Sequence, residues 1–109
     1  MTRKYRVVVP PSVTKDLKEI VEYYYEVNRG YSKKIFSKII ERIRELEKLP
    51  QKGRIVPELK EHNIDAYREL IEENYRIVYR IFDEEVLLVS VIDARRNVDE
   101  VLIRKLQRK

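Results

Sequence analysis

The sequence predicts an α+β fold, and three observations predict it. A short β-branched run stands near the start, two long stretches repeat apolar residues every 3.6 positions, and the second half switches to a period of two. Tyr5 to Val9 reads as a strand closed by Pro10 and Pro11, which have no N–H to donate to a ladder. Ser12 or Thr14 is placed to cap a helix over 12–28, whose stripe is Val13, Leu17, Ile20, Val21, Tyr24 and Val27. Asn28-Arg29-Gly30 ends it, with Gly30 expected in the left-handed position. A second helix starts near Tyr31 or Ser32 and runs to about Lys48, along Ile35, Phe36, Ile39, Ile40, Ile43, Leu46 and Leu49. So short a connection makes the two an antiparallel hairpin.

Leu49-Pro50-Gln51-Lys52-Gly53 breaks the helical pattern and opens a loop to about Asn63. Ala66 to Ile71 then reads as a strand, Glu72-Glu73-Asn74 as a tight turn, and Tyr75 to Phe82 as the clearest strand. On it Tyr75, Ile77, Tyr79 and Ile81 share one face, and Arg76, Val78, Arg80 and Phe82 the other. Asp83-Glu84 turns the chain again, and the nearly all-apolar Val86 to Ile92 is a central strand covered on both faces. After Asp93 to Asn97, residues 98–107 form a short helix with Val98, Val101, Leu102 and Leu106 inward; Arg104, Lys105, Arg108 and Lys109 suit its C-terminal dipole. The architecture is an N-terminal strand, an antiparallel helical hairpin, a three-strand antiparallel meander and a C-terminal helix. The hairpin is expected on one sheet face, with the other face open.

The chain has 109 residues, the length of one domain, and 43% hydrophobic content is enough to bury a core. Zero cysteines exclude disulfides, Cys-ligated zinc, iron–sulfur clusters and a thiol nucleophile, and one histidine excludes a multi-histidine metal site within the chain. Neither a signal-peptide core nor a run of about 18 apolar residues is present, so the expectation is a cytoplasmic protein with no membrane span. Charged residues reach 39%, rich in Lys, Arg and Glu, a thermophile-like surface.

His62 lies between Glu61 and Asn63 in the polar loop with no evident orienting partner, so it reads as a solvated side chain. Tyr23, Tyr24 and Tyr25 point about 100° apart on a helix and form no single stacking platform; Tyr24 is expected in the core. The arginines carry the strongest signal. Arg68, Arg76, Arg80, Arg95 and Arg96 all lie in or beside the meander strands. Gathered guanidiniums need compensation, either from Glu69, Glu72, Glu73 and Asp93 or from an anionic ligand such as a phosphate backbone or a partner's carboxylates. The net charge of +5 points toward an anionic partner without identifying it. The tail helix either docks on its own sheet or presents its apolar face to a partner.

The stretches Gly53-Arg54-Ile55-Val56-Pro57-Glu58-Leu59, Tyr67-Arg68-Glu69-Leu70, Tyr75-Arg76-Ile77-Val78-Tyr79-Arg80 and Asp93-Ala94-Arg95-Arg96, in this order and spacing, resemble the RelE/ParE superfamily of toxins of type II toxin–antitoxin systems. The resemblance spans roughly residues 5–97. It implies a growth-inhibiting toxin, of the plasmid-stabilization kind, neutralised by a cognate antitoxin that covers the basic face. RelE-like members resemble ribosome-dependent endoribonucleases that cut mRNA without a metal. ParE-like members look like inhibitors of DNA gyrase with no catalysis of their own, and the wording "R-E-L…Y-R-I-V-Y" leans to that side.

RNA cleavage through the 2′-OH needs a base, positive groups for the developing phosphorane charge, and an acid for the leaving oxygen. In a ribonuclease, Arg68, Arg76 and Arg95 would supply the charge. Where many ribonuclease members carry His, this chain has Asp93, and no Tyr follows Tyr79. The acid–base set is incomplete, with Glu69 and Lys60 as substitute bases. The expected partner-binding set is Lys60, Arg68, Arg76, Arg80, Arg95 and Arg96, with no metal and no cofactor. The alternatives are a gyrase-directed toxin, an mRNA endoribonuclease, and a non-toxic nucleic-acid- or protein-binding homologue.

Overall fold

A computed structural model describes residues 4–107. Its strands form one five-stranded sheet in the order β1-β5-β4-β3-β2. The first, β1 (Arg6–Val8), pairs in parallel with β5 (Glu85–Asp93), Arg6 opposite Glu85 and Val8 opposite Leu87. Between them in the chain come α1 (Pro11–Val27) and α2 (Arg29–Glu45), which cross one face of the sheet as a hairpin. The meander is β3 (Tyr67–Glu72), β4 (Tyr75–Phe82) and β5, antiparallel throughout. The α+β architecture is as the sequence predicts.

Local chemistry sets the boundaries differently in three places. Neither Ser12 nor Thr14 caps α1: the helix begins at Pro11 behind an extended Pro10, where proline's fixed φ suits the first helical position and its missing N–H costs nothing. Gly30 does not end α1 in a left-handed turn but lies inside α2. The reversal is made by one extended residue, Asn28, whose N–H donates to Tyr24 O at 2.7 Å and whose Oδ1 accepts from Tyr31 N at 3.0 Å. One residue therefore serves as the stop of one helix through its backbone N–H and as the N-cap of the next through its side chain. The third difference is α2, which ends at Glu45, short of Lys48.

The loop expected over 49–63 holds a 3₁₀ turn (Pro50–Lys52), a two-residue β2 (Arg54–Ile55) and a one-turn α3 (Pro57–Lys60). Here Gly53 is required by close approach. A Cβ on it would lie 2.5 Å from Tyr79 Oη and 2.6 Å from Glu69 O. The Tyr79 hydroxyl accepts from Gly53 N at 3.0 Å and donates to Pro50 O at 2.6 Å, so a buried phenol ties this segment to β4.

The hairpin face of the sheet buries Val13, Leu17, Ile20, Ile35, Ile39 and Ile43 against Leu70, Tyr75, Ile77, Tyr79, Val86, Leu88 and Val91. The opposite face, expected to be open, is covered in part. On it α3 and α4 (Val98–Gln107) build a second core from Val56, Leu59, Val98 and Leu102 over Val78 and Ile92. The tail helix thus docks on its own sheet, with Leu102 fully buried. A bulge between Val78 and Tyr79 sets Val78 opposite Ser90 and Tyr79 opposite Leu88, leaving Val89 as the extra residue of β5.

Candidate functional site

The second face of β4 carries Arg76, and the chain folds two carboxylates onto it. Glu69 comes from β3, two register positions away and so on the same face, since Ile71 pairs with Arg76 and Glu69 with Val78. Glu58 comes from the first turn of α3, which Pro57 starts. Arg76 Nε donates to Glu69 Oε1 at 2.6 Å, and its two terminal nitrogens form a fork on Glu58 at 2.6 Å each. The Glu69 side chain is fully buried, and its other oxygen accepts from Arg54 Nε at 2.8 Å. Such a fork is the strongest pairing that arginine makes. The Arg76 hydrogen bonds hold the Glu58 carboxyl below the usual carboxylate range, and those carboxylates raise the Arg76 pKa in turn.

The other arginines are separated from this cluster. Arg68 lies opposite Tyr79 and donates to Gly53 O at 2.8 Å, holding the segment before β2. Arg95 folds back on Asp93 at the end of β5, with Nε 3.0 Å from Oδ1 and a terminal nitrogen 2.6 Å from Oδ2, while its backbone N–H donates to Oδ1 at 2.9 Å. These bonds, the side-chain one foremost, keep Asp93 ionised below its usual range. Arg96 and Lys60 are exposed, and so is His62. Arg80 shares the face of Arg76 but joins no carboxylate among the described residues; its guanidinium lies 5.8 Å from the Tyr67 ring centre and 5.7 Å from that of Phe82. The structure therefore brings together Arg54, Arg76, Glu58 and Glu69, and it sets Arg68, Arg80, Arg95 and Arg96 apart.

Two features were missed from sequence. Glu58 falls in the loop expected over 49–63, although Pro57-Glu58 is a helix-start signal. The second is Asp16, whose Oδ2 accepts from Ser90 Oγ and Val91 N at 3.0 Å each and from Lys105 Nζ at 2.6 Å, joining α1, β5 and α4. Distances of 74 to 89 residues along the chain leave no local signal for it.

On the outer side of the hairpin, Leu17, Val21, Tyr25 and Phe36 line an open, almost wholly apolar groove between α1 and α2, with Lys18 and Lys33 at its rim. No helix among the described residues is long and apolar enough to cross a membrane.

The family described as "ParE toxin of type II toxin-antitoxin system, parDE" matches residues 7–98. This chain belongs to the ParE toxin family. Among solved structures, a chain of the chromosomal ParDE TA system from P. aeruginosa shares the fold with a TM-score of 0.69. The alignment covers 84% of this chain and 97% of that one, at 16% identity, so the likeness is one of fold. No curated protein matches. The ParE assignment agrees with the sheet, hairpin and tail helix described above, and it identifies the chain as a toxin of the type II toxin–antitoxin class.

Proposed function

We propose that this ParE-family chain inhibits growth by acting on DNA gyrase without cutting RNA, and that a cognate antitoxin neutralises it in the cytoplasm. The observation that carries the non-catalytic reading is the state of Arg76. A guanidinium that stabilised a phosphorane would need free N–H groups facing substrate, whereas all three nitrogens of Arg76 are bonded to carboxylates at 2.6 Å and its side chain is 8% exposed. Beside it, α3 and α4 cover the part of this sheet face around Val78 and Ile92, next to Arg76. Asp93 stands at the position that the resemblance gives to a ribonuclease histidine, and it is occupied by Arg95. An ionised carboxylate with both oxygens engaged is a poor general base. For the antitoxin, the hairpin groove lined by Leu17, Val21, Tyr25 and Phe36 offers an apolar seat for an amphipathic helix, with Lys18 and Lys33 placed to meet acidic residues.

Inducible expression in a bacterial host tests this reading, with mRNA integrity and plasmid supercoiling followed in the same cells. The expected result is growth arrest with intact mRNA and altered supercoiling or gyrase-linked DNA breaks. Ribosome-phased mRNA fragments would instead support the endoribonuclease reading. Co-expression of a small neighbouring gene product is expected to restore growth.

A further inference from the structure

The outer side of the hairpin leaves apolar side chains uncovered. Tyr25 is 47% exposed and Phe36 39%, and with Leu17 and Val21 they line the groove between α1 and α2. A continuous apolar groove on so charged a chain marks a contact surface. Its two rims carry opposite charge. The α1 rim holds Glu22 and, one turn on, Glu26; the α2 rim holds Arg29 and Lys33. Glu22, Glu26 and Lys33 are exposed and make no ion pair among the described residues. Arg29 stacks on the Tyr25 ring, 4.8 Å from its centre. Across the groove Ser32 Oγ donates to Val21 O at 2.9 Å, which sets Glu22 and Lys33 at about the same height on opposite rims.

We propose that this groove is a self-association surface, on which a second copy of the chain packs hairpin to hairpin about a two-fold axis running along the groove. Such an axis lays each α1 antiparallel over the partner's α2 at the same height. Glu22 then meets the partner's Lys33 and Glu26 the partner's Arg29, each contact made twice, as an isologous interface requires. Lys18, one turn before Glu22, comes level with the partner's Phe36 and Ser37 and meets no like charge. Val21, Tyr25 and Phe36 of both copies close between these pairs as the apolar centre. Rims of a single sign would repel a second copy, and a uniformly charged partner would match only one of these two. Helices of 17 residues, about 25 Å long and 10 Å wide, offer about 500 Å² per copy, the range of weak and transient complexes. The dimer is therefore weak, and an antitoxin helix seated in the same groove would dissolve it. Only that last consequence rests on the functional reading.

The test is sedimentation velocity of the purified intact chain over about a hundredfold range of micromolar concentrations. The mass is expected to rise from 13.3 kDa toward twice that value. Glu22→Lys and Lys33→Glu, both at exposed positions, should each weaken association at least about tenfold while unfolding at the parent's temperature. Mixing the two variants is the decisive arm. In the mixed dimer both cross pairs are of opposite sign again, so the mixture should associate at least about tenfold more tightly than either variant alone. Repaired folding cannot produce that rescue, because each chain keeps its own substitution. A monomer at every concentration, or a dimer that neither reversal weakens, would overturn the proposal and leave the groove to a foreign helix. Weakening by both variants without rescue on mixing would overturn the pairing of α1 with the partner's α2. The chain is measured alone, so failure here is separate from failure of the functional reading.

Discussion

Arg76 and Arg54 both bind Glu69, but they differ in what their removal exposes. Arg76 is nearly buried, and truncating it leaves the fully buried Glu69 carboxylate and Glu58 without their main partner. Breaking a buried pair in this way costs about 3–5 kcal/mol, so Arg76→Ala should lower the urea midpoint sharply. Arg54 has 61% side-chain exposure, and solvent replaces much of what it offers. Arg54→Ala should therefore cost less than about 1 kcal/mol by the same measurement. Acid reads the same cluster. The folded pKa of Glu58 is lowered by its Arg76 bonds, so its stabilisation is fully present above the ordinary carboxylate pKa and is lost as pH falls through the lower folded value. Glu58→Gln should thus reduce stability at neutral pH, with the gap to the parent closing in acid; a gap that widened in acid would contradict the assignment. From sequence, the arginines and the compensators Glu69 and Asp93 were legible as candidates. Which carboxylate meets which arginine was not, because the pairing depends on strand register and on Glu58, four residues before His62 in a segment with little periodicity.

The helix α4 closes a core that sequence periodicity left open. Its inward stripe was readable from Val98, Val101, Leu102 and Leu106, but the stripe alone does not say what it covers. The answer is Val78 and Ile92, together with α3, a helix of one turn that is too short to show a period. Leu102 is fully buried there, so Leu102→Ala should cost about 2–5 kcal/mol in denaturant unfolding. A loss of only a few tenths would mean that α4 is not docked. The two helices of the hairpin, by contrast, were legible because α1 and α2 each sustain the 3.6-residue pattern over 17 residues, although their ends differ and Val27, Phe36 and Leu49 of the expected stripes are exposed. The turns are a weaker case. Glu73 and Asp83 take positive φ, 55° and 54°, in two-residue connections where glycine is favoured. Asp83→Gly should relieve left-handed strain and stabilise by about 0.5–1 kcal/mol, read as a raised urea midpoint.

Over the whole molecule, the sheet has one face filled by the hairpin and the other shared between a tail helix and an open half. Sequence order alone placed β3, β4 and β5 together, but the parallel pairing of β1 with β5 links residues about 80 positions apart and has no local signature. That pairing places the first strand beside the last and encloses the hairpin on one side. Of the three arginines that would serve RNA cleavage, Arg76 and Arg95 are already bonded to carboxylates and Arg68 to the Gly53 carbonyl. The central claim is that this toxin does not cut RNA. Its most direct test is to incubate the purified chain with ribosomes carrying a defined mRNA and, separately, with DNA gyrase and plasmid. The account predicts full-length mRNA in the first reaction and lost supercoiling activity or gyrase-linked breaks in the second. Discrete mRNA fragments phased to the ribosome, with gyrase unaffected, would contradict it.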